Sequence, residues 1–167
     1  MGLKEGDKAP DFRLPFATLD KSRVATKAAS NEKTVSLKDF KGKVLVLYFY
    51  PKDDTPGCTV EACGFRDAYK KIEKAGAIVA GVSPDSLKAH EKFINKYSLP
   101  FLLLADEEKE ICKAYKVWVK KSMYGREYMG VQRATFVISA AGKILKIYPK
   151  VTPKEHENEI LDFLGSI

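Results

Sequence analysis

A chain of 167 residues, 45% hydrophobic and 31% charged, is long enough to bury a core without disulfide or metal staples, and its size predicts one domain over 1–167. Its longest apolar run, "VLVLYFY" at 44–50, falls far short of the roughly 20 residues a membrane-spanning helix needs, and the mixed-charge start "MGLKEGDKAPDF" has no targeting pattern, so a cytoplasmic protein without membrane partners is expected. The formal charge of +7 raises nucleic acid as a partner, but the lysines are scattered among 22 acids with no basic run, the pattern of solvated faces.

In chain order, residues 17–34 are polar and without period and read as a surface loop. The run 44–50, ending at Pro51, predicts a strand buried on both faces. The following "DDTPGCTVEACGFRDAYKK" (53–71) turns to helical spacing through Phe65, Ala68, Tyr69 and Ile72, until Gly76 closes the pattern. A strand at 77–83, a helix at 85–97, a strand at 101–105 and a helix at 106–117 continue the alternation, which implies βαβ crossovers and parallel pairing. Then the pattern changes. "ATFVIS" and "KILKIYP" predict an antiparallel hairpin with Gly142 in its turn, and a last helix is expected near Pro153, with Thr152 as N-cap and Ile160, Leu161 and Leu164 on its apolar face. The expected fold class is α/β: a mixed central sheet with flanking helices, ending in a β-hairpin and a helix. Met123, Tyr124 and Tyr128 in "SMYGREYMG" either frame an apolar approach to the cysteines or pack a loop.

With Thr55 as N-cap, Pro56 takes N1, where its missing N–H costs nothing, and Cys58 falls in the first turn. Backbone N–H groups without helical partners then face the sulfur, and the positive end of the helix dipole favours a thiolate. Cys58 is a candidate nucleophile; the alternative is a buried thiol. A helix terminus stabilises an anion by at most about 2 kcal/mol, so a cation is expected beside it. Arg133, at the start of a predicted strand, and the Thr55 hydroxyl are candidate donors, although the residues alone do not separate Arg133 from Arg66 or Arg126.

Cys63 lies five residues on, which in an ideal helix places the Cα atoms about 8.7 Å apart on different faces. A disulfide needs under roughly 7 Å, so the two cysteines can join only if the helix locally unwinds. Gly57 and Gly64, both poor helix formers, flank the part that must open. An odd count of 3 cysteines argues against a disulfide framework. Cys112, between Ile111 and Tyr115, reads as a core residue. His90 and His156 have no partners at metal-ligand spacing and read as solvated surface; no metal site is expected.

The segment "PKDDTPGCTVEACGFRD", with its P-x-x-x-T-x-x-C core at Pro51, Thr55 and Cys58, resembles the active-site segment of peroxiredoxins of the bacterioferritin comigratory protein, or peroxiredoxin Q, type. The likeness continues through "GVSPDS", "PFLLLAD", "KSMYGREYMGVQRATFVIS" and "GKI". It implies a thioredoxin-like fold and reduction of hydrogen peroxide and organic hydroperoxides without a metal or organic cofactor. Cys58 would attack the O–O bond and become a sulfenic acid, and Cys63 would resolve it as an intramolecular disulfide. Thr55 and Arg133 would orient the peroxide, Pro51 and Gly57 would line the substrate pocket, and thioredoxin or a similar dithiol would reduce the disulfide of a monomeric enzyme. The chain departs from that pattern in its longer 17–34 segment and in Cys112, because some relatives place the resolving cysteine in a later helix. Two rivals remain: a general thiol–disulfide oxidoreductase, opposed by the lack of C-x-x-C spacing, and a non-catalytic nucleic-acid-binding protein.

Overall fold

The computed structural model describes residues 2–19 and 34–167; most of the loop expected at 17–34 lies outside the described residues. Strand β3 (Val44–Phe49) pairs in parallel with β4 (Ala77–Ser83), and β4 in parallel with β5 (Leu102–Ala105). The crossovers run through α1 (Pro56–Lys74) and α2 (Leu87–Tyr97), as the alternation predicted. On the other side of β3 lies the antiparallel pair β8 (Ala134–Ile138) and β9 (Ile144–Tyr148), with Gly142 at φ +90° in the turn. The sheet has seven strands, in the order β2-β1-β5-β4-β3-β8-β9, where β1 is Arg13–Ala17 and β2 is Thr34–Ser36.

Strand alternation divides the core into two layers. Leu45, Leu47 and Phe49 of β3 pack on one face with Cys112, Tyr115 and Phe136. Val46 and Tyr48, with Tyr50 just beyond the strand, pack on the other with Cys58, Phe65, Phe93 and Ile160. Cys58 and Cys112 therefore lie on opposite faces of the sheet. The chain leaves β3 at its C-terminal end, turns through 50–55 and enters α1, which puts Cys58 in the crevice where open α/β sheets carry their sites.

Several expectations need correction. Strands β1 and β2 were not foreseen, although Phe12, Leu14 and Phe16 are buried and Arg13 and Pro15 exposed, a period-2 signal. Pro15 is tolerated because it ends the pairing with β2, opposite Thr34, and has no partner in β5, whose pairing starts at Phe16. The helix expected at 106–117 shrinks to α3 (Glu110–Ala114). Asp106 stays outside it and accepts the N–H groups of Ile111 and Cys112 (3.3 and 2.8 Å), and Lys116, at φ +63°, prevents its extension. The last helix, α4 (His156–Gly165), starts after Glu155 at φ +66°, not at Thr152. Residues 118–131, to which the sequence reading gave no element, form a hairpin, β6 (Trp118–Met123) with β7 (Arg126–Val131). Tyr124 and Gly125 both have positive φ, as a two-residue type I′ turn requires. Finally, His90 and His156 are fully buried rather than solvated.

Candidate active site

The active-site segment begins where β3 ends. Thr55 is extended (φ −96°, ψ 156°) and is the N-cap of α1, with Pro56 at the first helical position. Its hydroxyl does not cap the helix; it donates to the Lys52 carbonyl over 2.8 Å, which leaves its lone pairs for another partner. Thr59 N–H makes the first bond of the helix, to Thr55 O at 2.8 Å. The N–H groups of Gly57 and Cys58 thus precede the helical ladder, at the positive end of the dipole. Cys58 is only 2% exposed.

Arg133, between β7 and β8, donates from Nη2 to Cys58 Sγ over 3.3 Å and from Nη1 to Glu61 Oε1 over 2.7 Å. Burial opposes the charge on Arg133, but Glu61 and Cys58 outweigh it and its pKa rises. Gly57 leaves room for the guanidinium: a Cβ there would lie 3.2 Å from Arg133 Nη2 and 3.4 Å from Pro153 Cγ. Arg66 instead bonds Asp67 and the Tyr97 carbonyl, and Arg126 is exposed in the distal hairpin. Tertiary placement therefore selects Arg133 from three candidates that the residues alone left open.

Glu61 was missed by sequence reasoning. It lies one turn after Cys58, and burial pushes its carboxyl up to about 7 against the pull of Arg133. Its Oε2 is buried with no hydrogen-bond partner among the described residues, as is the Tyr48 hydroxyl. A signal existed: an acid at 61 interrupts the buried stripe of Cys58, Ala62, Phe65, Ala68 and Ile72. Lys121 was missed too. Its aliphatic stem lies against Gly130, where a Cβ would be 3.2 Å from Lys121 Cδ. Burial, and then Arg133, lower its pKa, with Cys58 opposing. Met123 and Tyr128 share its hairpin face and stay exposed.

Cys63 is half-buried, and burial raises its thiol pKa, with Arg66 opposing. All three cysteines are free, and α1 runs unbroken through both Cys58 and Cys63, the arrangement expected before any disulfide forms. At Gly64 a Cβ would collide with the Glu157 carboxylate of α4. Pro51, Thr55, Gly57, Cys58 and Arg133 thus come together at one end of the sheet, with Cys63 further along the same helix. Cys112 is fully buried on the opposite face.

Known proteins resemble the chain over nearly its whole length. The AhpC/TSA family matches residues 5–147. A putative peroxiredoxin bcp of Coxiella burnetii is 45% identical over 161 residues, covering 96% of this chain and 98% of the relative. Peroxiredoxin Bcp of Bacillus subtilis is 45% identical over 164 residues, covering 98% and 96%. Among solved structures, a mutant PrxQ of Xylella fastidiosa superposes with a TM-score of 0.85 at 31% identity, covering 99% of this chain and 98% of that one. The fold is that of the thioredoxin-like peroxiredoxins, which are thiol-dependent peroxidases. The chain belongs to the AhpC/TSA family and, within it, to the peroxiredoxins of the Bcp or peroxiredoxin Q type.

Proposed function

We propose that Cys58 is the peroxidatic nucleophile, acting on hydrogen peroxide and organic hydroperoxides. The observation that carries this reading is the Arg133 guanidinium 3.3 Å from a sulfur at the N-terminus of α1. The sulfur attacks the terminal oxygen of R–O–O–H, the O–O bond breaks, and Cys58 becomes a sulfenic acid while the departing alkoxide takes a proton and leaves as ROH. Negative charge develops on both oxygens. Arg133 and the free N–H groups of the first turn stabilise it without reorganising, while the Thr55 hydroxyl, whose own proton goes to the Lys52 carbonyl, orients the peroxide by accepting its O–H. Pro51 and Gly57 line the pocket. An alkyl hydroperoxide is a reasonable substrate because a similar protein of Xanthomonas campestris, 34% identical, is described in terms of alkyl peroxide reduction.

In the second step the Cys63 thiolate attacks the Cys58 sulfur, hydroxide leaves and is protonated to water, and a disulfide forms. Cys63 is preferred to Cys112 because the sheet separates Cys112 from Cys58. Disulfide geometry requires the first turns of α1 to open. Thioredoxin or a similar dithiol then reduces the bond, in a monomeric, single-domain cytoplasmic enzyme; no helix among the described residues is long and apolar enough to cross a membrane.

Peroxide consumption coupled to thioredoxin oxidation tests the reading. Cys58→Ser should abolish turnover, and mass mapping of the oxidised protein should show Cys58 linked to Cys63. Activity that survives Cys58→Ser would exclude the mechanism, and a Cys58 to Cys112 link would reassign the resolving thiol.

A further inference from the structure

His90 belongs to a network that reaches the active-site loop from α2 and the end of β4. Its Nε2 lies 2.9 Å from the Leu104 carbonyl, an acceptor only, so that nitrogen carries a proton. Its Nδ1 lies 2.6 Å from Asp53 Oδ2. The Tyr50 hydroxyl donates to Asp53 Oδ1 over 2.5 Å. Asp53 N–H donates to Asp85 Oδ2 over 2.8 Å, and the same oxygen accepts the Ser83 hydroxyl at 2.6 Å. The next residue, Asp54, is held at φ +58° and takes Lys96 Nζ at 2.8 Å and the Tyr97 hydroxyl at 3.0 Å.

Asp53 and Asp54 of the Pro51–Thr55 loop are therefore fastened to α2 and to Asp85 just after β4, and none of these bonds involves α1. That division matters because α1 must open for Cys58 to meet Cys63, whereas Thr55 and Pro51 must return to one geometry in every cycle. A well-packed apolar pair would serve stability alone at least as well as a buried polar pair. A hydrogen-bonded pair fixes distance and orientation, which apolar contact does not.

We propose that His90 and Asp53 form a positioning pair that holds the Thr55 hydroxyl in register with Cys58 and keeps the loop fixed while α1 opens. This rests on the reading of Cys58 as the peroxidatic thiol. The pair touches neither peroxide nor sulfur and acts through the Pro51–Thr55 backbone. A misplacement of about 1 Å at a reacting centre can cost about 10²-fold in rate, and this loop has no other buried side-chain anchor among the described residues.

The test compares two reactions of Cys58. Oxidation by hydrogen peroxide needs the oriented donors; alkylation by iodoacetamide needs only an accessible thiolate. In His90→Asn and Asp53→Asn the peroxide rate should fall about tenfold or more, with alkylation within about twofold of wild type. Thr55→Val should slow peroxide oxidation less in the His90→Asn background than in wild type, because the hydroxyl is already misplaced. Should the buried substitutions prevent folding, Tyr50→Phe removes one donor to Asp53 with the ring retained, and should give the same split at smaller size. Equal losses in both reactions, independent multiplication of the Thr55 and His90 effects, or a folded Tyr50→Phe with no split would each overturn the positioning role. A wild-type protein whose Cys58 does not react with peroxide would overturn the proposed function itself, and this inference with it.

Discussion

Arg133 donates to the Cys58 sulfur across 3.3 Å, bridging 75 positions of sequence. The other guanidinium arm is fixed at 2.7 Å by Glu61, so the planar fork cannot rotate away from the thiol. Arg133→Ala should lower the rate of Cys58 oxidation by about 10² to 10³, the usual cost of losing a donor to a developing oxyanion. Arg133→Lys should restore little, because one ammonium cannot hold both partners in this geometry. Stopped-flow oxidation of the reduced protein measures both; a Lys variant near wild-type rate would show that charge alone suffices.

Glu61 gives stability a pH dependence. Its carboxyl is raised by burial from 4.5 to about 7, so between those values the folded protein keeps a proton that the unfolded chain has released. The stabilisation from this proton is full below about pH 4.5, declines as pH rises, and is gone above about 7. Glu61→Gln cannot ionise. Its unfolding free energy should therefore gain on that of wild type by on the order of 2 kcal/mol between pH 5 and pH 8. Urea titrations at several pH values give both curves, and parallel curves would contradict the assignment.

Gly64 is where α1 and α4 approach. In an open helix Gly→Ala stabilises by about 1 kcal/mol, but here the added methyl meets the Glu157 carboxylate. Gly64→Ala should gain about 1 kcal/mol only when combined with Glu157→Ala, and less or nothing alone. Either alanine variant at 64 should also slow disulfide formation, because a stiffer α1 opens less readily. Additive stabilities across the four proteins would show that Glu157 simply swings aside.

The Tyr48 hydroxyl is buried without a hydrogen-bond partner among the described residues, while its ring packs against Tyr50, Phe65 and Phe101. Tyr48→Phe keeps those contacts and removes an unsatisfied polar group, so it should stabilise the protein by about 1 kcal/mol. A destabilised variant in chemical denaturation would point to a partner for that hydroxyl.

Local pattern was a good guide where one segment contained its own cause. The run 44–50 is a buried strand, and Thr55-Pro56 starts a helix with Cys58 in its first turn. It misled where tertiary contact changed the meaning of a residue. His90 is flanked by charged neighbours and looked solvated, yet it shares the spacing of Phe93 and Ile94, which are buried with it. His156 stands in the same relation to Ile160 and Leu164. Both rings gain entry to the core because each finds polar partners there: Asp53 and Leu104 O for His90, Thr135 and Glu159 for His156. A buried polar ring without such partners would be costly, and all of these partners except Glu159 come from other segments.

By itself the sequence determined the strand–helix alternation, the placement of a thiol at a helix N-terminus, and the strain in joining Cys58 to Cys63, since periodicity, capping and helical rise are local properties. Only the tertiary structure decided which arginine meets that thiol, that Glu61 orients it, that Cys112 is walled off by the sheet, and that His90 grips the active-site loop. Those relations are set by packing between segments distant in the chain, and nothing in the neighbourhood of either partner encodes the other.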